Sequence, residues 1–474
     1  MKTVLLLNPP ARRVQLRDLY CSITSKGNYL WPPIDLLVLS GNLKDRFELA
    51  VVDAVAERLS PRAALARVAA AQPFAVISMT GSASWPEDED FLAQVKGRLG
   101  CLIAVCGDLC VDPDPWFLRD HPWLDALIAD FTTPEINAWL EAEGKSGRPF
   151  AGIRHRFNGG IVEGWAAGGV GGGRTLSYPP PRHDLFPLRS YRLPFVRDYP
   201  VTSILTNYAC PFGCTYCIQA NAVLGHRHRP VENVIEELRV IRDLGVRELY
   251  FRDPLFESRP ADALRLCRAL AADFDFSWAC NCRADTLTDE LAAAMKEAGC
   301  RCIAFGFETV DTETLRRHEK PLTVEQFRGA IALCRRHGIE VAGYFILGLP
   351  GEHFETGLKT IDFAVQSGID YASFAVPSPD HGTRLRREVV ADRKIEAGFR
   401  IFDRSRSGVS FSEWLGTEDL NRLLRIAVTR FYFRPSYVLK ALGRARGLRQ
   451  GFELLRAGWA VVRSWLGDLG RPAS

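Results

Sequence analysis

Three cysteines, Cys210, Cys214 and Cys217, lie within Tyr208-Ala209-Cys210-Pro211-Phe212-Gly213-Cys214-Thr215-Tyr216-Cys217-Ile218-Gln219, with three and then two residues between them. A cubane [4Fe-4S] cluster is normally held by cysteine thiolates. Three thiolates from one loop leave one iron without a protein ligand. An open coordination position lets a metal act on a bound molecule, whereas a closed site is structural. A partial zinc site is the alternative. It would want a fourth ligand, and the next candidates, His226 and His228, do not follow at knuckle spacing. The loop comes directly after the apolar run Val201 to Leu205, which reads as a strand, so the thiols are presented from a strand end.

The elements that must position this loop occupy a chain of 474 residues with net charge +4. That length predicts two or three domains. The small charge gives no argument for nucleic acid as a partner. Thirteen cysteines, with an N-terminal apolar run cut short by Asn8-Pro9-Pro10, predict a reducing, cytoplasmic setting. Cys267, Cys300, Cys302 and Cys334 sit in apolar patterns and read as buried small hydrophobes.

Residues 1–145 alternate strand-like and helix-like segments. Strands are expected at Thr3 to Leu7, Phe47 to Val55, Phe74 to Met79, Cys101 to Cys106 and Leu124 to Ala129. Such alternation predicts a Rossmann-like, doubly wound parallel sheet. Ligands of such sheets lie beyond the strand carboxyl ends, which here carry Asn8, Thr80 and Gly107. Residues 146–199 are rich in glycine and then proline and read as a linker, with Ala167 to Gly173 forming no regular element. From Val201 to about residue 400 six strand–helix units follow, a partial (β/α)6 barrel of the TIM type. Polar residues collect after its strands, the face on which α/β barrels do chemistry. Residues 401–474 read as a basic amphipathic helical region, with Lys440, Arg444, Arg449 and Arg456 beside Leu442, Leu454 and Trp459.

The cysteine spacing, with Tyr216 just before the third cysteine, resembles the CxxxCxΦC motif of the radical S-adenosylmethionine (SAM) enzymes. Asn8-Pro9-Pro10, Pro32-Pro33-Ile34-Asp35 and Val52-Asp53-Ala54 resemble the cobalamin-binding domain fused to many of them, the layout of class B methyltransferases and of the anaerobic Mg-protoporphyrin cyclase. The DxHxxG loop that supplies an imidazole to cobalt in such domains is missing here; the first histidine is His121. The resemblance implies a [4Fe-4S] cluster on Cys210, Cys214 and Cys217, with SAM chelating the free iron. It implies SAM contacts from Tyr216, from Arg283 to the carboxylate, from Glu308 in Gly306-Phe307-Glu308-Thr309, from Ile346 packing on adenine, and from the backbone at Ala375. Cobalamin is implied at Asn8, Thr80 and Gly107. The implied chemistry is reductive cleavage of SAM to a 5′-deoxyadenosyl radical and cobalamin-dependent C-methylation of an unactivated carbon. Cyclisation, oxidation or carbon–carbon bond formation on a lipid or tetrapyrrole is the alternative. A non-catalytic iron–sulfur carrier or sensor would not account for the strand-end motifs. The expected partners are a hydrophobic small molecule, an electron donor such as flavodoxin or ferredoxin, and the inner face of a membrane, touched by the basic C-terminal helices.

Overall fold

The computed structural model describes residues 1–164, 175–220, 225–396, 398–399, 402–405 and 408–444. The N-terminal part carries β1 (Thr3–Asn8), β2 (Gln15–Asp18), β3 (Cys21–Thr24), β4 (Glu48–Asp53), β5 (Ala75–Met79), β6 (Leu102–Cys106), β7 (Ala126–Ile128), β8 (Ile153–Phe157) and β9 (Gly160–Glu163). Seven of these strands form one sheet in the order β4-β1-β5-β6-β7-β8-β9. Its first five pair in parallel, with Leu6 between Val51 and Ile77. Val4, Leu5, Leu6 and Leu7 are all fully buried, as a parallel strand covered by helices on both faces requires. The five expected strands are all present.

The segment expected to be a linker from residue 146 contains an element of its own. β8 and β9 form an antiparallel hairpin on the edge of the sheet. Asn158 and Gly159 make its two-residue turn with φ of 47° and 78°, the left-handed pair that such a turn needs. The glycine content conceals this turn signal, which extends the sheet to Glu163. The expectation for Ala167 to Gly173 falls outside the described residues. Further on, the chain is tied down by hydrogen bonds: Lys44 Nζ donates to the Pro180 carbonyl (2.8 Å) and the Arg182 N–H to Ser40 Oγ (2.9 Å).

The second sheet runs β10 (Val201–Ile204), β13 (Glu248–Phe251), β14 (Ser277–Cys282), β15 (Cys300–Glu308), β16 (Glu340–Ile346) and β17 (Tyr371–Ala375), in that order and parallel throughout. Between β10 and β13 a short ladder, β11 (Asn207–Tyr208) with β12 (Arg227–His228), flanks the cysteine loop. Amphipathic helices return the chain between strands. In Val324–Arg336 a capping box of Thr323 and Gln326 starts the helix, and Phe327, Ala330, Ile331 and Cys334 face the sheet. This is the six-stranded partial barrel that the alternation predicted.

One apolar cluster spans both halves, joining Leu16, Tyr20 and Phe131 to Tyr208, Tyr250 and Ala342. Around it, acids of the N-terminal half meet bases of the barrel. Asp18 pairs with Arg252 at 3.1 Å, Asp130 with Arg227 at 2.5 Å, and Asp112 lies 2.5 Å from His381. The C-terminal helix Thr417–Tyr432 buries Leu420, Leu423, Ala427 and Phe431 in the barrel's core. It comes so close that a Cβ on Gly348, whose φ is 93°, would stand 2.1 Å from Leu420. The helix Pro435–Arg444 follows it. Among the described residues no helix is long and apolar enough to cross a membrane; residues 445–474 of the expected basic tail lie outside them.

Candidate active site

The cysteine loop is held in place by backbone bonds at several points. The Cys210 N–H donates to the Gln219 carbonyl (2.9 Å), that of Cys217 to Cys214 (3.1 Å), that of Thr215 to His318 (3.2 Å) and that of Leu385 to Thr215 (2.9 Å). Upstream, the buried Asp253 at the end of β13 accepts from the N–H groups of Thr206 (2.6 Å) and Asn207 (3.0 Å) and from Thr206 Oγ1 (2.8 Å). Burial pushes its carboxyl up to about 7 against those donors. The three cysteines are free thiols and half-buried. Burial pushes the Cys210 thiol up to about 11.

Strand ends opposite the loop bring further residues to the same cavity. Arg283, after β14, lies with its guanidinium 4.0 Å from the centre of the Phe212 ring in the cysteine loop, and its Nε donates to Asp285 (2.7 Å). Glu308 closes β15 with φ of 60°, a conformation uncommon outside glycine. Its carboxylate takes a 2.8 Å ion pair from Lys320, a residue that no strand-end motif announces. Burial pulls the Lys320 ammonium down, but Glu308 and Cys214 outweigh it and hold it above its ordinary value. Gly306 makes room for the pair: a Cβ there would lie 2.4 Å from Glu308 Oε1 and 2.8 Å from Lys320 Nζ. Ile346 and Ala375 are register partners at the ends of β16 and β17. The backbone around Ala375, expected to meet a base edge, already has partners: Val376 N–H donates to Arg404 (3.3 Å) and the Ala375 carbonyl accepts from Leu347 (2.9 Å). The Tyr216 phenol is buried with no hydrogen-bond partner, and burial drives it well above its ordinary value. His318, also absent from the sequence reading, ties the loop to the barrel by Nδ1 to Thr215 Oγ1 (2.6 Å) and Nε2 to the Pro350 carbonyl (3.1 Å). Nothing in the spacing marked Lys320, twelve residues beyond Glu308, or His318.

Cys210, Cys214, Cys217, Tyr216, Arg283, Glu308, Ile346 and Ala375 all line one cavity of about 2480 Å³. Asn8, Thr80 and Gly107 do not. The β2–β3 hairpin crosses the carboxyl ends of the N-terminal strands and plants Arg17 there, fully buried. Its Nη2 pairs with Asp88 (2.7 Å), its Nη1 donates to Asn8 Oδ1 (2.9 Å) and its Nε to Ser84 Oγ (3.1 Å). Thr80 Oγ1 donates to the same Asp88 (3.1 Å), and Gly107 packs against the carbonyls of Thr80 and Arg17. The hairpin thus replaces the three strand-end residues as the cavity's N-terminal wall, through Leu16, Tyr20, Cys21 and Ile23.

Comparison with known proteins agrees with this geometry. Residues 204–364 match the radical SAM superfamily. The whole chain is similar to an uncharacterized methyltransferase of Pyrococcus horikoshii, 26% identical over 442 residues, 91% of this chain and 94% of that protein. Among solved structures it resembles the radical SAM methyltransferase TsrM of Kitasatospora setae, solved with cobalamin and a [4Fe-4S] cluster (TM-score 0.65, 17% identity, 89% of this chain and 82% of that one). It also resembles the cobalamin-dependent SAM radical enzyme OxsB, solved with aqua-cobalamin and SAM (TM-score 0.67, 15% identity, 98% and 72%). At these identities the two structures speak for the shared fold. A radical SAM domain uses a [4Fe-4S] cluster and SAM, and the free thiols and the cavity beside them are of the right chemistry for both. Residues 204–364 are thus a radical SAM domain.

Proposed function

We propose that this enzyme C-methylates an unactivated carbon of a hydrophobic substrate with the help of cobalamin. The observation that carries the reading is the cavity. It runs from the cysteine loop to the β2–β3 hairpin of the N-terminal half, and at about 2480 Å³ it exceeds the ordinary small-ligand pocket of about 300–1,000 Å³ severalfold. SAM alone does not account for that space. Leu16, Tyr20, Cys21 and Ile23 of the hairpin line this side of the cavity, where one face of a corrin would rest. Among the described residues no histidine lines the cavity, which fits cobalamin bound without an imidazole on cobalt. When bound, the cluster with SAM supplies hydrogen abstraction and cobalamin supplies a methyl group.

The chain's own residues position and exclude. Cys210, Cys214 and Cys217 would ligate three irons and leave the fourth for SAM. Arg283 is free to turn its remaining guanidinium N–H groups to the SAM carboxylate in the forked geometry that carboxylates favour. Lys320 holds Glu308, whose second oxygen can accept from the amino group or ribose. Tyr216 and Ile346 line the cavity beside the cysteine loop and would wall the adenine. On the far side Phe433 and Val438, 48% and 43% exposed, flank the cavity and, with Leu439, form an apolar surface through which a hydrophobic substrate would enter, from a membrane face.

Anaerobic reconstitution should give about four irons per chain and release 5′-deoxyadenosine from SAM on reduction. With hydroxocobalamin supplied, the purified protein should retain a corrin spectrum. A protein that cleaves SAM yet never retains a corrin would overturn methylation. For the membrane face, removal of residues 433–474 should lower binding to anionic lipid vesicles; unchanged binding rejects that contact.

A further inference from the structure

The cavity contains charged groups that the reaction above does not use. Arg252, at the carboxyl end of β13, is buried among aromatic rings, its guanidinium 4.7 Å from the centre of Trp31 and 5.6 Å from Tyr250. Among the described residues only its Nη2 finds a protein acceptor, 3.1 Å from each oxygen of Asp18, while Nε is buried without a partner. A guanidinium carries five N–H donors, so most of them are unspent. Asp18 is shared, since it also accepts the Trp31 Nε1–H at 2.5 Å. Arg404 repeats the arrangement. It pairs through Nη2 with Asp380, and its Nε is likewise buried and without a partner. The two fields overlap: burial and Asp18 push the Cys21 thiol up to about 12, and both arginines act on it in the opposite direction. All three residues line the cavity.

Two ion pairs that only held the fold together would have no need of spare donors. Buried donors left unmade are costly, and both side chains line the space where the substrate must lie. We propose that Arg252 and Arg404 form a subsite for an oxyanion of the substrate, a carboxylate or a phosphoryl group, so that the substrate is amphipathic: an apolar or aromatic body against Trp31 and Tyr250 with an acidic group fixed at the arginines. This rests on the proposed reaction and names its substrate class. The acidic group would anchor the molecule and decide which carbon reaches the cysteine loop.

The test uses the cluster-reconstituted full chain and three probes on one ring position: 2-naphthoate, 2-naphthyl phosphate and the neutral 2-naphthamide, titrated by calorimetry. At least one of the two acidic probes should bind about tenfold or more tighter than the amide, the gain of a charge-assisted bond. Tighter binding of naphthoate assigns a carboxylate, and of the phosphate a phosphoryl group. Arg252→Gln should bring the ratio to about one, whereas Arg328→Gln, on the outer helix, should leave it intact. Equal binding of acid and amide by the native protein overturns the subsite, and that comparison needs no variant to fold. A preference that survives Arg252→Gln in a folded protein overturns the assignment to Arg252. Release of 5′-deoxyadenosine, measured on the same preparation, reports on the proposed reaction separately, because loss of cleavage leaves the binding ratio readable.

Discussion

Replacing Lys320 by methionine tests whether a buried charge pair holds the SAM side of the cavity in shape. Lys320 and Glu308 meet at 2.8 Å with side chains 9% and 10% exposed. Removing one partner of such a pair strands the other charge and costs about 3–5 kcal/mol. For a folding unit of this size each kcal/mol lowers Tm by about 2–4 °C, so Lys320→Met should melt about 6–20 °C below the native protein. The Lys320 cation, raised above its ordinary value, contributes stability below that value and loses it only as pH rises past the folded one. The full effect should therefore be present at neutral pH. Adding Glu308→Gln removes the stranded charge and should restore more than half the loss, because a neutral replacement of a buried pair is often tolerated. Thermal unfolding by circular dichroism on the single and double variants, at one scan rate, measures both quantities. SAM cleavage by Lys320→Met should fall about tenfold or more as Glu308 swings from its place. A loss under about 2 °C, or a double variant no more stable than the single one, would refute the coupling.

Further outcomes follow from the same structure. Cys214→Ala should abolish SAM cleavage and lower the iron bound while leaving the far-ultraviolet spectrum unchanged; a fully active variant would remove Cys214 from the ligand set. Asp253 has a folded pKa near 7, above its unfolded value, so its contribution is full in acid and lost as pH rises through about 7. Asp253→Asn should flatten the fall in stability between about pH 4 and 7, measured by urea unfolding; an unchanged slope assigns that fall elsewhere. Gly348→Ala should cost about 2–4 kcal/mol, from overpacking and from a side chain forced to positive φ. It should open the helix Thr417–Tyr432 to protease, and unaltered cleavage kinetics would count against the close docking.

The regular part of this molecule was legible because its signals are local. A buried parallel strand needs a continuous apolar run, and Thr3 to Leu7 or Val341 to Leu347 provide one within a few residues. The cysteine loop was legible for the same reason: its chemistry lies in one short stretch. What escaped depends on pairs far apart in sequence. Nothing around Arg17 says that it will meet Asp88 across 71 residues, and that pairing is what moved the N-terminal wall from Asn8, Thr80 and Gly107 to the hairpin. Lys320 and Arg252 gain meaning only through Glu308 and Asp18. The β8–β9 hairpin was legible and passed over, since Asn158-Gly159 between two alternating runs is a strong hairpin signal that the surrounding glycines obscured.

The way acids and bases are distributed across the seam between the two halves bears on how such enzymes can be recombined. Asp18, Asp112 and Asp130 come from the N-terminal half, and Arg252, His381 and Arg227 from the barrel. The seam therefore has a polarity, like a keyed plug. A chimera that borrowed its N-terminal half from a relative would inherit a working joint only if the donor kept the acids on its own side. With the signs reversed, like charges would be buried against each other beside the apolar cluster, and the graft would fail at assembly rather than at chemistry.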